Sequence, residues 1–227
     1  MAIEADGLER VYTTGAATVV GLQGIDLRIA AGQLATVKGV SGSGKSTLLS
    51  LVGGLDRPTA GRLIVGGVHL DAASTNMMTR FRRETVGMVF QSFNLLPTLT
   101  VRENVGLPAL LAGKAAGTAM ARADALLERV QMSHRRTHYP GQLSGGEMQR
   151  TAIARALIND PAIILADEPT GNLDSGNGEI VIELLAELNR SEGRTVIIAT
   201  HSAIADHVAT LTLRLRDGRL VDGACDA

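Results

Sequence analysis

The residues with the clearest chemistry lie in the segment Gly39–Thr47, which reads GVSGSGKST. It matches G-x-x-x-x-G-K-[ST], follows a strand-like run and opens an apolar, helix-like stretch. Its three glycines allow the backbone N–H groups to converge on an anion, and a helix N-terminus adds partial positive charge. Lys45 can then reach the β- and γ-phosphates of a nucleotide, and the Ser46 hydroxyl can bind Mg²⁺. The residues predicted to bind nucleotide are Gly39, Ser41, Gly42, Ser43, Gly44, Lys45, Ser46 and Thr47.

A pair of carboxylates ends another apolar run, IILADEP, at Asp167 and Glu168. In an open α/β fold the carboxyl edge of the sheet is where ligands bind. Asp167 is therefore predicted to hold Mg²⁺, directly or through water, and Glu168 to deprotonate the attacking water. Alone, Asp-Glu-Pro after a strand is equally typical of a turn; beside a phosphate loop it favours a nucleotide-hydrolysing site.

Composition excludes several classes of protein. The chain has 227 residues, 45% of them hydrophobic, enough for one large domain with a buried core. With aromatics at 2% and a net charge of −1, nothing favours nucleic-acid binding. The single cysteine, Cys225, suits a reducing compartment. The first ten residues do not resemble a signal peptide, and no apolar run approaches the roughly 18 residues that span a bilayer.

The elements that must position these groups alternate along the chain. The runs QLATVKGV, TVGMVFQ, AIILADEP and TVIIATH are typical of buried parallel strands, and GIDLRIAAG of a strand with one buried face. Helical spacing appears in GEIVIELLAELNR and MARADALLERVQM. This alternation predicts an α/β fold. Residues 92–160 read as a helical subdomain inserted into a core of residues 1–91 and 161–227.

A further octapeptide, LSGGEMQR at Leu143–Arg150, holds no His and no obvious nucleophile, although Glu147 could in principle act as a base. Placed between the phosphate loop and the acidic pair, it resembles the signature motif of ATP-binding-cassette (ABC) ATPases. The resemblance covers almost the whole chain. It implies a single P-loop NTPase domain with a mostly parallel sheet, an N-terminal antiparallel β subdomain and an inserted helical signature subdomain.

The other family motifs occur in the same order. Gln91 resembles the Q-loop glutamine, which implies that it binds Mg²⁺ and takes part in catalysis. His201 resembles the switch histidine, which contacts the γ-phosphate. Tyr12 stands where the family has an adenine-stacking aromatic, and Asp174, in NLDS, matches the D-loop. Considered alone, Gln91 and His201 would more often be ordinary strand ends, and Tyr12 is a half-buried strand aromatic about as often as a ligand contact.

The resemblance also implies partners. Two cassettes pair head-to-tail, so that Ser144, Gly145 and Gly146 of one copy contact the ATP held by the other. Several stretches resemble the bacterial lipoprotein-release, macrolide-efflux and cell-division group, in which the ATPase lies on the cytoplasmic face and drives an integral membrane subunit. The residues expected to receive that permease are Phe93, Leu95, Leu96 and Pro97. Those four could also be the apolar start of the helical subdomain's core.

Two other functions stay open from sequence. A soluble cassette ATPase acting on nucleic acid or ribosomes is disfavoured, because such relatives carry long coiled-coil insertions or two cassettes with a basic linker. A nucleotide-dependent regulator without turnover is disfavoured by Glu168. The sequence departs from expectation at Lys38, a strand position where an apolar residue is expected, and its side chain either caps the strand or faces the nucleotide. Ser202 replaces the Asp that follows the histidine in many relatives.

Overall fold

A computed structural model describes residues 1–15 and 17–223, so the expectation for Cys225 lies outside the described residues. In chain order the strands are β1 (Ile3–Thr14), β2 (Ala17–Ile29), β3 (Leu34–Lys38), β4 (Ala60–Val65), β5 (Val68–His69), β6 (Val86–Phe90), β7 (Ile163–Asp167), β8 (Thr195–Thr200), β9 (Leu211–Arg216) and β10 (Arg219–Gly223). The α-helices are α1 (Lys45–Val52), α2 (Thr75–Glu84), α3 (Val101–Leu111), α4 (Ala116–Arg129), α5 (Gly145–Leu157) and α6 (Ser175–Glu192).

The larger sheet has the strand order β10-β9-β3-β8-β7-β6. All neighbours in it pair in parallel except β10, which returns antiparallel on β9. Helices cover its faces, so β3, β7 and β8 are nearly continuous runs of buried apolar residues. The four sequence runs predicted as parallel strands are β3, β6, β7 and β8, and the α/β prediction is confirmed.

The smaller sheet is antiparallel, with the order β2-β1-β4-β5. In β2 the alternation of Ile25, Leu27 and Ile29 places all three in the core, while the residues between them face solvent. β1 passes through three register shifts as it pairs with β2, which bends the long strand around the core. The antiparallel N-terminal sheet implied by the resemblance is therefore present.

Helices α3, α4 and α5 fill the segment between β6 and β7. Their apolar faces, including Val105 on α3 and Leu127 on α4, share one hydrophobic cluster with Ile164 and Ile198 of the larger sheet. Helix α5 lies very close to β6, since a Cβ on Gly87 would meet the carbonyl oxygen of Ala156 at 2.4 Å. The segment is thus anchored on the sheet through α5, and its limits at 92 and 160 stay a prediction.

The loop between β6 and α3 is held by two side chains from the helices. Asn104, almost fully buried, accepts from the Leu96 N–H at 2.8 Å and donates to the carbonyls of Leu96, Leu99 and Thr100, each at 3.0 Å. The Arg155 guanidinium donates to the carbonyl of Phe93 at 2.7 Å and to that of Asn94. Phe93 and Asn94 both have left-handed backbones, with φ of 60° and 50°. This loop is therefore ordered by polar contacts, while Leu96 is left 44% exposed.

Candidate active site

Four adjacent strands of the larger sheet deliver the predicted site residues to one edge. β3 runs into the phosphate loop, β8 ends before His201, β7 ends at Asp167, and β6 ends before Gln91. Their ends form the floor of an open cleft of about 640 Å³. The cleft is lined by Tyr12, Val19, Val20, Gly21, Val40, Ser41, Gly42, Gly44, Lys45, Ser46, Thr47, Gln91, Glu168 and His201.

The phosphate loop curls around its own lysine. Lys45 Nζ donates to the carbonyls of Gly39 and Val40, at 2.8 and 3.1 Å, and is nearly buried. Gly44 ends the loop in a left-handed conformation, with φ of 106°, immediately before α1. At Gly39 a Cβ would meet the Leu215 carbonyl oxygen at 2.4 Å, so only glycine fits beneath the loop. The cradle fits a polyphosphate, because it presents backbone N–H groups, a helix N-terminus and an ammonium.

Ser43 and Gly39 lie outside the cleft lining, in contrast to the rest of the predicted loop residues. Ser43 is buried, and its carbonyl oxygen accepts from the Gly218 N–H at 3.0 Å. The backbone of Ser43 therefore supports the loop, while its buried hydroxyl has no hydrogen-bond partner among the described residues.

Two of the three residues predicted to hold a metal, Ser46 and Asp167, are in direct contact, and the third, Gln91, lines the same cleft as Ser46. Ser46 Oγ donates to Asp167 Oδ1 at 3.1 Å. Burial raises the pKa of the Asp167 carboxyl, and the neighbouring Glu168 charge adds to that rise, while Ser46 and Lys45 oppose it. Gln91 lies over Gly171, where a Cβ would meet Gln91 Nε2 at 2.7 Å. A hydroxyl, a desolvated carboxylate and a side-chain amide fit a hard cation that prefers oxygen ligands.

Glu168 sits between two cationic or hydrogen-bonding partners. His201 Nδ1 lies 3.0 Å from each carboxylate oxygen of Glu168, and Lys45 Nζ lies 3.5 Å from Oε1. The Glu168 backbone is left-handed, with φ of 45°, and its N–H donates to the Ala199 carbonyl at 2.8 Å. A non-glycine residue in this conformation costs about 1 kcal/mol or more and is typical of functional sites. The strained turn directs the carboxylate toward the phosphate loop.

One wall of the cleft is apolar. Tyr12 is fixed by Arg10, whose guanidinium carbon lies 4.4 Å from the ring centroid, and by Asp56, which accepts from the Tyr12 hydroxyl at 3.2 Å. Val19 and Val20 line the same wall and are 62% and 49% exposed. Sequence reasoning missed both valines. The signal in the sequence was the Val-Val pair, because a strand with one solvent-exposed face is expected to alternate apolar and polar residues.

The signature segment does not reach this cleft in the described part of the chain. Ser144 caps α5, accepting from the Glu147 N–H at 3.3 Å, while the Glu147 carboxylate accepts from the Ser144 N–H at 2.8 Å. This reciprocal capping box accounts for Glu147, considered from sequence as a possible base. Arg135 Nε also donates to Glu147 at 2.8 Å.

The D-loop and the signature helix touch within one chain. Asp174 caps α6, because its carboxylate accepts from the Asn177 N–H at 2.9 Å. The Asn177 side chain also donates to this carboxylate, from Nδ2 to Oδ2 at 2.6 Å. Asn177 also fills the space over Gly146, where a Cβ would meet its Oδ1 at 2.2 Å. Ser144, Gly145, Gly146 and Asp174 therefore lie together, and none of them lines the nucleotide cleft of the same chain.

Lys38, left open from sequence, neither lines the cleft nor simply caps β3. Its Nζ donates to the Ser202 carbonyl at 2.6 Å and forms an ion pair with Asp206. Ser202 therefore accepts a contact from the strand that leads into the phosphate loop.

The fold and this cleft define the chain as a P-loop ATPase that binds ATP. The sequence profile of the family described as ABC transporter matches residues 22–171. The chain belongs to this family, and the prediction from its motifs is confirmed.

Several relatives and solved structures are similar over nearly the whole chain. The lipoprotein-releasing system ATP-binding protein LolD 1 of Caulobacter vibrioides is 47% identical over 225 residues, 99% of this chain and 96% of that protein. The macrolide export ATP-binding/permease protein MacB of Rhodopseudomonas palustris is 47% identical over 96% of this chain and 33% of that protein. This chain spans about a third of the length of the macrolide export proteins it matches.

The fold is that of a solved cassette. The dimeric structure of MJ0796, a bacterial ABC transporter cassette, matches with a TM-score of 0.90 and 38% identity over 97% of both chains. A dimeric post-hydrolysis state of the same cassette, bound to ADP and Pi, also matches with a TM-score of 0.90, at 37% identity and 97% coverage of both chains. Across residues 1–15 and 17–223, no helix has the length and apolar character needed to cross a membrane.

The capping carboxylate makes a testable contribution to stability. Hydrogen bonds from Ser144, opposed by burial and joined by Arg135, lower the pKa of Glu147 from 4.5 to about 2. A lowered pKa means that its stabilisation is present above pH 4.5 and lost as pH falls toward 2. We expect Glu147→Gln to lower the free energy of unfolding at neutral pH by about 1–3 kcal/mol. Urea titrations at several pH values should show the gap to wild type closing across that window.

Arg135→Met serves as the matched variant for this measurement. Its free energy of unfolding at neutral pH should lie between those of wild type and Glu147→Gln, because it removes only one of the bonds to the carboxylate. A difference between wild type and Glu147→Gln that stays constant from neutral pH to pH 2 would contradict the assignment.

Proposed function

We propose that this chain hydrolyses Mg-ATP as one half of a head-to-tail dimer and thereby drives an integral membrane partner. The observation that carries the proposal is the separation of two sets of residues. The phosphate loop, Asp167, Glu168 and His201 converge on one cleft, while Ser144, Gly145 and Gly146 do not line it. A complete site then requires the signature residues of a second copy.

In this proposal the nucleotide is held at both of its ends. Backbone N–H groups of the phosphate loop bind the β- and γ-phosphates, and Lys45 exchanges its bonds to Gly39 and Val40 for the phosphate oxygens. At the other end, Tyr12, Val19 and Val20 offer an apolar wall for the adenine ring. Arg10 and Asp56 keep the Tyr12 ring in place, which supports its role as a stacking platform.

Ser46, Asp167 and Gln91 would hold Mg²⁺, Ser46 and Gln91 directly and Asp167 directly or through water. When bound, this ion neutralises charge on the β- and γ-phosphate oxygens. Burial has already removed much of the water around Asp167, so its carboxylate is prepared to interact with a cation. Gln91 also connects the site to the loop held by Asn104 and Arg155, because it directly follows the last residue of β6, the strand from which that loop departs.

The chemical step uses Glu168 and His201. Glu168 accepts a proton from water as the water oxygen attacks the γ-phosphorus, and the bond to the β–γ bridging oxygen breaks to leave ADP and phosphate. His201, 3.0 Å from the Glu168 carboxylate, orients that group and contacts the γ-phosphate. Lys45 stabilises negative charge on the transferred phosphoryl group.

The second copy completes the site. Ser144, Gly145 and Gly146 stand at the N-terminus of α5, where the helix dipole and free N–H groups favour the γ-phosphate held by the partner. Asp174, joined to the same corner through Asn177, would contact the partner's phosphate loop. The capping box keeps Ser144 at the start of the helix in the single chain, so little rearrangement is needed on dimerisation.

The membrane partner is supported by the relatives, whose names include lipoprotein release and macrolide export with a permease. The permease would dock on the ordered loop at Phe93, Leu95, Leu96 and Pro97, and the cassette would lie on the cytoplasmic face of the membrane. Leu96 and Pro97 are exposed and Phe93 and Leu95 half-buried, so the loop offers apolar surface for contact with a partner.

Removal of the base tests the chemistry. Glu168→Gln should lower the ATPase rate by about 100-fold or more, because the amide cannot accept the proton of the attacking water. It should also trap an ATP-bound dimer, visible by size-exclusion chromatography with multi-angle light scattering in Mg-ATP. Glu187→Gln makes the same chemical change on the exposed side of α6 and should hydrolyse ATP normally. Hydrolysis by Glu168→Gln at the wild-type rate would refute the assignment of the base.

Mixed dimers test the head-to-tail arrangement. A heterodimer that carries Lys45→Ala in one copy and Gly146→Asp in the other should keep one intact site, because both lesions fall at the same interface site. A heterodimer with both changes in one copy and a wild-type partner should keep none. ATPase assays on doubly tagged, purified heterodimers measure the contrast, and activity restricted to the second pairing would contradict sites shared between copies.

Capture from membranes tests the partner. A tagged Glu168→Gln chain in Mg-ATP, expressed in its native host, should co-purify with an integral membrane protein after gentle solubilisation. Adding Leu96→Glu should abolish the capture, since a charge on the docking loop opposes apolar contact. Val221→Glu, on β10 at the opposite edge of the sheet, is the matched control and should keep it.

The captured species decides between the two functions. A partner with few transmembrane segments and a large outside domain supports transmission of conformational change, as in the lipoprotein-release and macrolide-efflux group. A partner with many segments and a bound solute supports ordinary transport. Recovery of ribosomes or nucleic acid alone would replace the membrane function with that of a soluble cassette ATPase.

A further inference from the structure

Lys38 is an unusual residue for its place in the fold. It ends β3, a strand in the middle of the larger sheet whose other residues are buried, and its side chain is only 17% exposed. A charged group at such a position is costly unless hydrogen bonds and an opposite charge compensate for the lost water. The groups that offset the lost hydration of the Lys38 ammonium therefore show which part of the structure this side chain positions.

Both partners lie in the segment that follows His201. Lys38 Nζ donates to the Ser202 carbonyl oxygen at 2.6 Å and pairs with the carboxylate of Asp206, which is itself 55% exposed. The parallel register places Lys38 opposite Thr200, the last residue of β8, so the side chain reaches forward over the strand end. One ammonium thus fixes the peptide next to His201 and the turn that comes after it.

The segment packs on the core through Ala205, which is buried, and through Ile204 and Val208, but the hydrogen bonds that its backbone N–H groups donate are local. Residues 201–208 form bends and turns with no regular secondary structure. Ser202 N–H donates to Thr200 Oγ1 at 3.0 Å, and Ile204 N–H donates to Ser202 Oγ at 3.2 Å, both within the segment itself or the strand before it. The contact from Lys38 comes from a different strand and ties the segment to the start of the phosphate loop, since Gly39 follows directly.

We propose that Lys38 is a positioning residue that holds the His201 segment in register with the phosphate loop, so that the imidazole stays aligned with Glu168 and the γ-phosphate. His201 itself is 66% exposed and touches Glu168 through Nδ1 at 3.0 Å, so its alignment depends on its backbone. Lys38 takes no direct part in nucleotide binding, because it does not line the cleft. This inference rests on the proposed role of His201.

A double-mutant cycle on the full chain tests the inference. Lys38→Met approximately keeps the length of the side chain and removes its charge. We expect kcat to fall about 5-fold, because a misplaced catalytic group slows the chemical step. The KM for ATP should change by less than about 2-fold. His201→Ala should lower kcat more, and the double variant should be no slower than His201→Ala alone. Such non-additivity means that Lys38 acts through His201.

Two further variants control for the change of residue. Lys114→Met makes the same substitution at an exposed lysine between α3 and α4 and should leave kcat and KM unchanged. Asp206→Ala keeps Lys38 and removes its ionic partner, so it should lower kcat as Lys38→Met does. The Lys38→Met, Asp206→Ala double variant should have the same kcat as Lys38→Met alone. Thermal melting of each variant confirms that it is folded.

The outcomes separate the inference from the function beneath it. If His201→Ala leaves kcat unchanged, the proposed role of His201 fails, and the role of Lys38 fails with it. If His201→Ala is slow but Lys38→Met has the wild-type kcat, only the role of Lys38 fails. Losses that add in the double variant, or a Lys38→Met effect confined to KM, would place Lys38 on the phosphate loop and overturn its role through His201.

Discussion

The site depends on one constraint, the common direction of four neighbouring strands. Because β3, β8, β7 and β6 are hydrogen-bonded in parallel, their carboxyl ends must meet at one edge. Each strand then contributes a different group to the same cleft. The phosphate loop, His201, the Asp167–Glu168 pair and Gln91 are far apart in sequence, yet the parallel pairing of the strands brings all of them to one edge of the sheet.

Charge explains the order within that cleft. Lys45 is nearly buried, satisfied by two loop carbonyls and 3.5 Å from Glu168, so a cation is already present where phosphate charge would arrive. Asp167, on the neighbouring peptide, is desolvated and carries a raised pKa. The two adjacent carboxylates therefore have different environments: Asp167 accepts from the Ser46 hydroxyl, and Glu168 lies between Lys45 and His201.

The face that we propose to meet a second copy is organised by helix caps. Ser144 and Asp174 each stand at the N-cap of a helix and accept a backbone N–H three residues on. Asn177 joins the two caps, since it donates to Asp174 and fills the space over Gly146. A cap that already satisfies its helix leaves the dipole and the remaining N–H groups available to a ligand from outside.

From sequence alone, local chemistry and periodicity determined the phosphate loop, the parallel strands and the helical faces, because each depends on residues close together in the chain. The family was predicted from the resemblance of motifs spread along the chain. Tertiary structure decided the rest. The cleft is lined by Val19 and Val20 because the fold sets β2 beside the phosphate loop. Arg135 donates to Glu147 across a turn of the chain. Lys38 could not be assigned from its strand, because its partners lie 164 residues or more further along the chain. Such contacts are set by strand order, which no local pattern encodes.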